Sequence, residues 1–144
     1  MMPTIALALS LAQSPEDAMR QVQRSHIEAN VPADADFERL LQGDLDRYFK
    51  AKRPKPFKLT YEFLRRGPTQ SGVSYPKFYL WVQVSEEGRV VEQGAVRIAA
   101  VEKKEFQITD FIGEPAIRSD PAGINRVFPA LVCDTIKQRL GLAR

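Results

Sequence analysis

The side chains best suited to catalysis are scarce in this chain, which has one histidine and one cysteine. Nucleophilic mechanisms of the Ser-His-Asp or Cys-His kind need a histidine as the base. His26 falls on an apolar helical stripe, where we expect a core or rim histidine. Cys133 falls beside apolar residues near the C-terminus, and we expect it to be a small buried hydrophobe.

Metal binding has little support in the sequence. One histidine and one cysteine do not make a Cys/His zinc site. Calcium and magnesium sites built from carboxylates need an Asp/Asn-rich loop with regular ligand spacing, and no such loop occurs in the sequence. We therefore predict no metal and no cofactor.

Two carboxylates are candidates for a general base. Asp110 shares the strand parity of the apolar residues in 106–112, so it is expected to point toward the core, where burial would raise its pKa. The alternative is that it ends the strand and caps the next turn. Glu92 raises the same question, and Tyr61 or Tyr79 could donate a hydrogen bond to an oxyanion.

A binding face is the stronger candidate. One predicted strand places Lys77, Tyr79 and Trp81 on the face opposite its apolar residues, and Arg97 on the next strand joins them if the register allows. Tyrosine, tryptophan and arginine are enriched at binding hot spots. The alternative is that the last helix or the 66–76 loop covers this face, because tryptophan and tyrosine are highly buried on average.

A run of cations follows the second predicted helix. This basic segment consists of Lys50, Lys52, Arg53, Lys55 and Lys58, with no acid inside it. It could bind an anionic partner, or it could be a solvated linker. No recognised motif for nucleic acid accompanies it, so nucleic acid is not the expected partner.

The elements that must position these side chains follow from periodicity and turn signals. Helices are predicted at 15–30, 37–49 and 129–140, and strands at 57–65, 77–85, 90–101 and 105–112. Short connections between the last three strands predict an antiparallel meander. The fold class is therefore α+β. This element order resembles that of cystatin-like and nuclear-transport-factor-2-like domains, and the resemblance implies no functional residue.

Composition and length are those of an ordinary globular domain. The 144 residues are 44% hydrophobic and 27% charged, with a net charge of +3. We predict a single α+β domain over residues 13–144, without a transmembrane span. Such a chain needs neither disulfides nor metal to fold.

The first twelve residues predict export. An apolar run, 5–11, ends in a small-x-small junction before Gln13, as at a signal-peptidase site. Ser14 and Pro15 then begin a helix. Residues 1–12 are thus predicted to be a signal peptide or its remnant, and the protein periplasmic or secreted. The alternative is a cytoplasmic protein with a frayed or buried apolar N-terminus.

Two functional hypotheses follow. The first is a non-catalytic binding domain that uses Lys77, Tyr79, Trp81 and Arg97 for a protein partner, a ligand or self-association as a homodimer. The second is a small enzyme with Asp110 or Glu92 as the base in a pocket between sheet and helices.

Overall fold

A computed structural model describes residues 14–143 and shows two helices, a four-stranded sheet and a C-terminal helical segment. The predicted fold class, α+β with an antiparallel meander between N-terminal helices and a C-terminal helix, is confirmed. The elements are α1 (Pro15–Asn30), α2 (Asp34–Lys50), β1 (Lys58–Phe63), β2 (Lys77–Glu86), β3 (Arg89–Val101), β4 (Glu105–Gly113), α3 (Glu114–Ser119), a 3-10 turn (Pro121–Arg126) and α4 (Ala130–Leu140).

The sheet has the order β1-β2-β3-β4, and all neighbours are antiparallel. Strands β2 and β3 join through Glu87 and Gly88, whose φ angles are 52° and 80°. Two central residues at positive φ match the right-handed twist of the flanking strands. The strands β1 and β4 are therefore the two edges, and β2 and β3 lie in the middle.

One face of the sheet packs against α2. Leucine and phenylalanine recur along α2 at helical spacing, so they form one apolar side. The resulting cluster comprises Leu41, Leu45, Phe49, Leu59, Phe78, Leu80, Val82, Val84, Val96, Ile98, Ala100 and Phe106. Phe37 packs near Phe63 of β1, and Phe49 packs near Phe111 of β4. Phe37 also packs against Phe106 of β4, with the ring centres 5.0 Å apart, so both ends of the helix contact β4.

Gly43 lies inside α2, where a glycine weakens a helix unless a close packing contact requires it, and no such contact occurs among the described residues. A β-carbon added there meets nothing within 4 Å, and the residue is exposed. Gly43 lies on the solvent side of α2, so no close approach of another element requires a glycine there.

The helix α1 is joined to the rest of the described chain at its C-terminal end. Asn30 is its one buried residue. The Asn30 side chain accepts a hydrogen bond from the backbone N–H of Glu102 at 2.9 Å, and its carbonyl accepts one from Lys103 at 2.8 Å. Met19 and Val22 remain exposed. Residues 1–12, predicted as a signal peptide, lie outside the described residues.

Candidate functional site

The face that carries Tyr79 and Trp81 is covered in this structure. Tyr79 is 4% exposed and Trp81 is 2% exposed. They pack against residues of α3, the 3-10 turn and α4, among them Ile117, Ile124 and Ile136. The arrangement found is thus the alternative in which the last helix covers this face. Binding through Tyr79 and Trp81 stays a prediction, and it would require this segment to move.

The polar atoms of Trp81 and its neighbours are satisfied internally. Trp81 Nε1 donates a hydrogen bond to Gln93 Oε1 at 3.2 Å, and Gln83 Nε2 donates to the same oxygen at 3.0 Å. The guanidinium of Arg139 on α4 lies 5.4 Å from the centre of the Trp81 ring, within cation–π range. Trp81 therefore behaves as a core residue with a satisfied polar tip.

Arg97 does lie opposite Tyr79, as the register required. Its guanidinium pairs with Asp110 at 2.6 Å and donates to Thr109 Oγ1 at 2.9 Å. Both partners of this ion pair are about one-third exposed. Lys77 lies nearby: burial, and then the charge of Arg97, lower the pKa of its ammonium. Both cations flank the covered face at its rim.

The expected orientation of Asp110 is wrong. Arg97 pairs with Asp110 while Ile98 pairs with Ile108, so a β-bulge at Thr109 inserts one extra residue in β4. A bulge shifts the inside–outside alternation by one position. Asp110 consequently faces the C-terminal segment beside Arg97 and not the core under α2.

Glu92 also lies in an ion pair. Arg53 of the basic segment contacts Glu86 at 2.7 Å and Glu92 at 3.1 Å. The Arg53 side chain is 20% exposed, and its guanidinium ties the connection after α2 to the β2–β3 hairpin. Glu92 and Asp110, the two carboxylates proposed as bases, are therefore each held by an arginine.

The 66–76 loop is held at its end by β2. Thr69 and Lys77 form an isolated antiparallel bridge. Thr69 Oγ1 and Tyr79 Oη lie 2.6 Å apart, in hydrogen-bonding contact. The Tyr79 hydroxyl, considered as a donor to an oxyanion, thus anchors this loop.

The basic segment lines a cleft of about 720 Å³, the basic cleft, between α2 and the start of β1. Gln42, Asp46 and Lys50 form one wall because residues four apart share a helix face. The other wall is the 53–59 chain, which is fixed in part by Arg53. Its lining residues are Arg53, Pro54, Lys55, Pro56, Phe57, Lys58 and Leu59.

The lysines of the basic segment differ in their surroundings. Lys52 lies outside the lining of the cleft, and its ammonium lies 4.3 Å from the centre of the Tyr48 ring. Lys50, Lys55 and Lys58 are exposed, and within residues 14–143 none of them has a salt-bridge partner. Three exposed lysines therefore line the cleft without a carboxylate partner in a salt bridge in this part of the chain.

The sequence identified the cations of this cleft but not its wall on α2. Gln42 and Asp46 carry no charge pattern that singles them out. The i, i+4 spacing of Gln42, Asp46 and Lys50 was the available signal. What the spacing does not show is that the chain turns back at 53–56 and faces this side of the helix.

Chemically, the basic cleft offers apolar and cationic surface together. Phe57 and two prolines provide apolar lining, and the lysines provide positive charge. Among the described residues, no three histidine, cysteine, aspartate or glutamate side chains converge as a metal site would require. In the same part of the chain, no helix is long and apolar enough to cross a membrane.

Comparisons with known proteins identified no relative of this chain. We found no match to this chain among protein-family models, curated proteins or solved structures.

Proposed function

We propose that this chain is a non-catalytic binding domain whose ligand site is the basic cleft. The ligand would be an anion with an apolar body. The observation that supports this most directly is the lining of the cleft, which combines Lys50, Lys55 and Lys58 with Phe57 and the adjacent prolines. Binding sites for small molecules are typically concave and mostly apolar, with a few polar groups that fix orientation.

The covered face and the paired carboxylates favour this location over the earlier candidates. Tyr79 and Trp81 are buried within the described chain, whereas the cleft is accessible without movement of a helix. Asp110 and Glu92 pair with Arg97 and Arg53. Each of these carboxylates therefore already has an arginine as a structural ion-pair partner. The enzyme hypothesis therefore gains no supporting observation.

The proposal predicts that charge reversal at the cleft weakens binding of an amphiphilic anion. We expect Lys55→Glu/Lys58→Glu to bind 1-anilinonaphthalene-8-sulfonate roughly thirtyfold more weakly than the unmodified protein, because two lost attractions of on the order of 1 kcal/mol each sum to about 2 kcal/mol. Fluorescence titration measures the dissociation constant. Circular dichroism of both proteins verifies that they are folded.

The matched control reverses the same charge at the opposite end of the sheet. Lys103 and Lys104 lie in the turn between β3 and β4, far from Lys58, which pairs with Ser85 at the other end. Lys103→Glu/Lys104→Glu should leave the dissociation constant within about twofold, because screening removes interactions beyond a Debye length. Equal weakening by both double variants, or no weakening by either, would exclude the cleft as the site.

We also propose that the protein acts in the periplasm or outside the cell. Two observations support this. Ser14 accepts a hydrogen bond from the Asp17 N–H at 3.1 Å, so α1 begins directly after the predicted cleavage junction. Cys133 is 2% exposed, and its thiol donates to the Phe128 carbonyl at 3.3 Å. Burial raises the pKa of this thiol, and a buried thiol is protected from disulfide exchange in an oxidising compartment.

Export has a direct test. The full chain, expressed in a bacterium with a secretion system, should appear in the periplasm with an intact mass that corresponds to a start near Gln13. The signal peptidase cleaves directly after the small-x-small residues, here Ser10 to Ala12, and removes everything before Gln13. An uncleaved chain recovered from the cytoplasm would contradict the proposal.

A further inference from the structure

We infer that the basic cleft continues into a strand-addition site, in which an extended acidic peptide pairs antiparallel with the outer edge of β1. This inference rests on the proposed function, because the peptide would be the physiological occupant of the same cleft. Addition of a strand to an open sheet edge is a common mode of peptide recognition.

Hydrogen bonds show which groups of β1 face outward. The N–H of Leu64 donates to Tyr79 O of β2 at 2.8 Å, whereas the carbonyl of Leu59 accepts a hydrogen bond from Gln42 of α2. In a strand, the backbone groups of alternate residues point to opposite sides. Even-numbered residues therefore bond to β2, and Leu59, Tyr61 and Phe63 direct their backbone groups away from the sheet.

This outer edge has no main-chain partner among residues 14–143. The strand β1 pairs with β2 alone, and no backbone bond to the outer side of Tyr61 or Phe63 occurs in the described chain. Proteins usually protect an exposed edge because it can pair with another chain. At Tyr61 and Phe63 such pairing is available.

At Leu59 a side chain takes the place of a neighbouring strand. Gln42 Nε2 lies 3.1 Å from the Leu59 carbonyl oxygen and 3.0 Å from Asp46 Oδ1. The amide thus donates where the N–H of an added strand would donate. The same amide also donates to Asp46. A peptide N–H can therefore replace Gln42 as the donor to the Leu59 carbonyl, and the Gln42 amide still has an acceptor.

The side chains beside this edge fit a peptide with alternating character. Tyr61 is half-buried and Phe63 is 46% exposed, and their rings pack 5.8 Å apart on the α2 face. Residues opposite one another in an antiparallel pair point to the same face. Peptide residues that bond to Tyr61 and Phe63 would therefore place apolar side chains against these rings.

Charges indicate that the peptide is acidic. Lys55 and Lys58 lie at the start of β1, and Arg65 and Arg66 follow its end. In the described part of the chain none of these four cations is in a salt bridge. Cations at both ends of one edge attract an extended anionic chain.

The test uses a capped heptapeptide in which valine alternates with glutamate, and two N-methylated versions of it. If valines face α2, the valine amides point toward β1 and the glutamate amides point to solvent. Methylation of the valine amides should then weaken binding at least ~10-fold, because several main-chain hydrogen bonds are lost. Methylation of the glutamate amides should change affinity by less than about twofold. Affinity is measured by anisotropy of a fluorescein-labelled peptide.

The amide resonances give a second measurement that requires no variant. In ¹H–¹⁵N spectra, the unmethylated peptide should shift the amides of Tyr61 and Phe63 more than those of Thr60 and Glu62, which already bond to β2. Equal loss of affinity for both methylated peptides, or greater loss on glutamate methylation, would overturn the antiparallel addition. So would a dimer in sedimentation experiments that the peptide does not dissociate, because a second copy would then occupy the edge.

The two proposals fail separately. If 1-anilinonaphthalene-8-sulfonate binds the cleft but the peptide does not bind, the strand-addition inference fails and the binding-domain proposal stands. Anionic lipid vesicles provide a competition test. If the vesicles bind the protein at least as strongly as the peptide does and displace the peptide, the edge binds a lipid surface and the strand-addition inference is overturned. If neither 1-anilinonaphthalene-8-sulfonate nor the peptide binds, both proposals are wrong.

Discussion

Gly94→Ala is expected to lower the free energy of unfolding by about 3 kcal/mol, the upper part of the usual range for overpacking. A β-carbon at Gly94 would lie 2.4 Å from the Ile112 carbonyl oxygen and 2.7 Å from the Gly113 α-carbon. Both are backbone atoms of β4, so the strands must separate to admit it. Urea denaturation followed by circular dichroism measures the change.

Gly113 provides the matched control because it is the direct partner of Gly94 across the two strands. A β-carbon there meets its nearest atom, Pro115 Cδ, at 3.7 Å, an ordinary van der Waals contact. We expect Gly113→Ala to change stability by less than about 1 kcal/mol. If the two alanine variants were equally stable, the close approach at Gly94 would be contradicted.

Asp44→Ala is expected to destabilise the protein by about 2–3 kcal/mol, because it leaves a buried donor without an acceptor. Asp44 on α2 is 8% exposed. Its Oδ2 accepts a hydrogen bond from the backbone N–H of Phe106 on β4 at 2.7 Å, and its Oδ1 lies 2.7 Å from Arg47. Of these two contacts of Asp44, the bond to Phe106 joins the helix to the sheet. Thermal and urea denaturation give the change.

Two further variants separate the hydrogen bond from the charge. Asp44→Asn keeps an oxygen acceptor for the Phe106 N–H and should lose less stability than Asp44→Ala. Asp36→Ala removes a carboxylate whose ion pair with Arg39 is more than half exposed at both partners, and such pairs contribute less than about 1 kcal/mol. Equal losses for the alanine and asparagine variants at Asp44 would show that charge, and not the link to β4, is what matters.

Local patterns in the sequence were enough to predict the helices and strands and their order along the chain. The helix α1 runs over Pro15–Asn30, as its cap and periodicity predicted. The helix α4 ends at Leu140 and is terminated by Gly141, whose φ of 68° is the left-handed conformation that favours glycine at that position. These features depend on residues within a few positions of one another, so the sequence carries them directly.

The orientation of Asp110 could not be obtained in this way. Strand parity is a local rule, but the bulge at Thr109 arises from the pairing of β4 with β3. At the bulge, Arg97 of β3 contacts both Thr109 and Asp110 of β4. A rule with a period of two residues fails wherever the partner strand forces an extra residue.

The sequence by itself determined the fold class, the grouping of the cations in the basic segment and the alternation that places Leu59, Tyr61 and Phe63 on one face of β1. The tertiary structure decided which surfaces are accessible. It placed α4 over Trp81, paired Arg53 with Glu86 and Glu92, and turned the 53–59 chain against α2 to form the cleft. Accessibility depends on residues that are distant along the chain, because burial is the result of packing between elements and not of the pattern within any one of them.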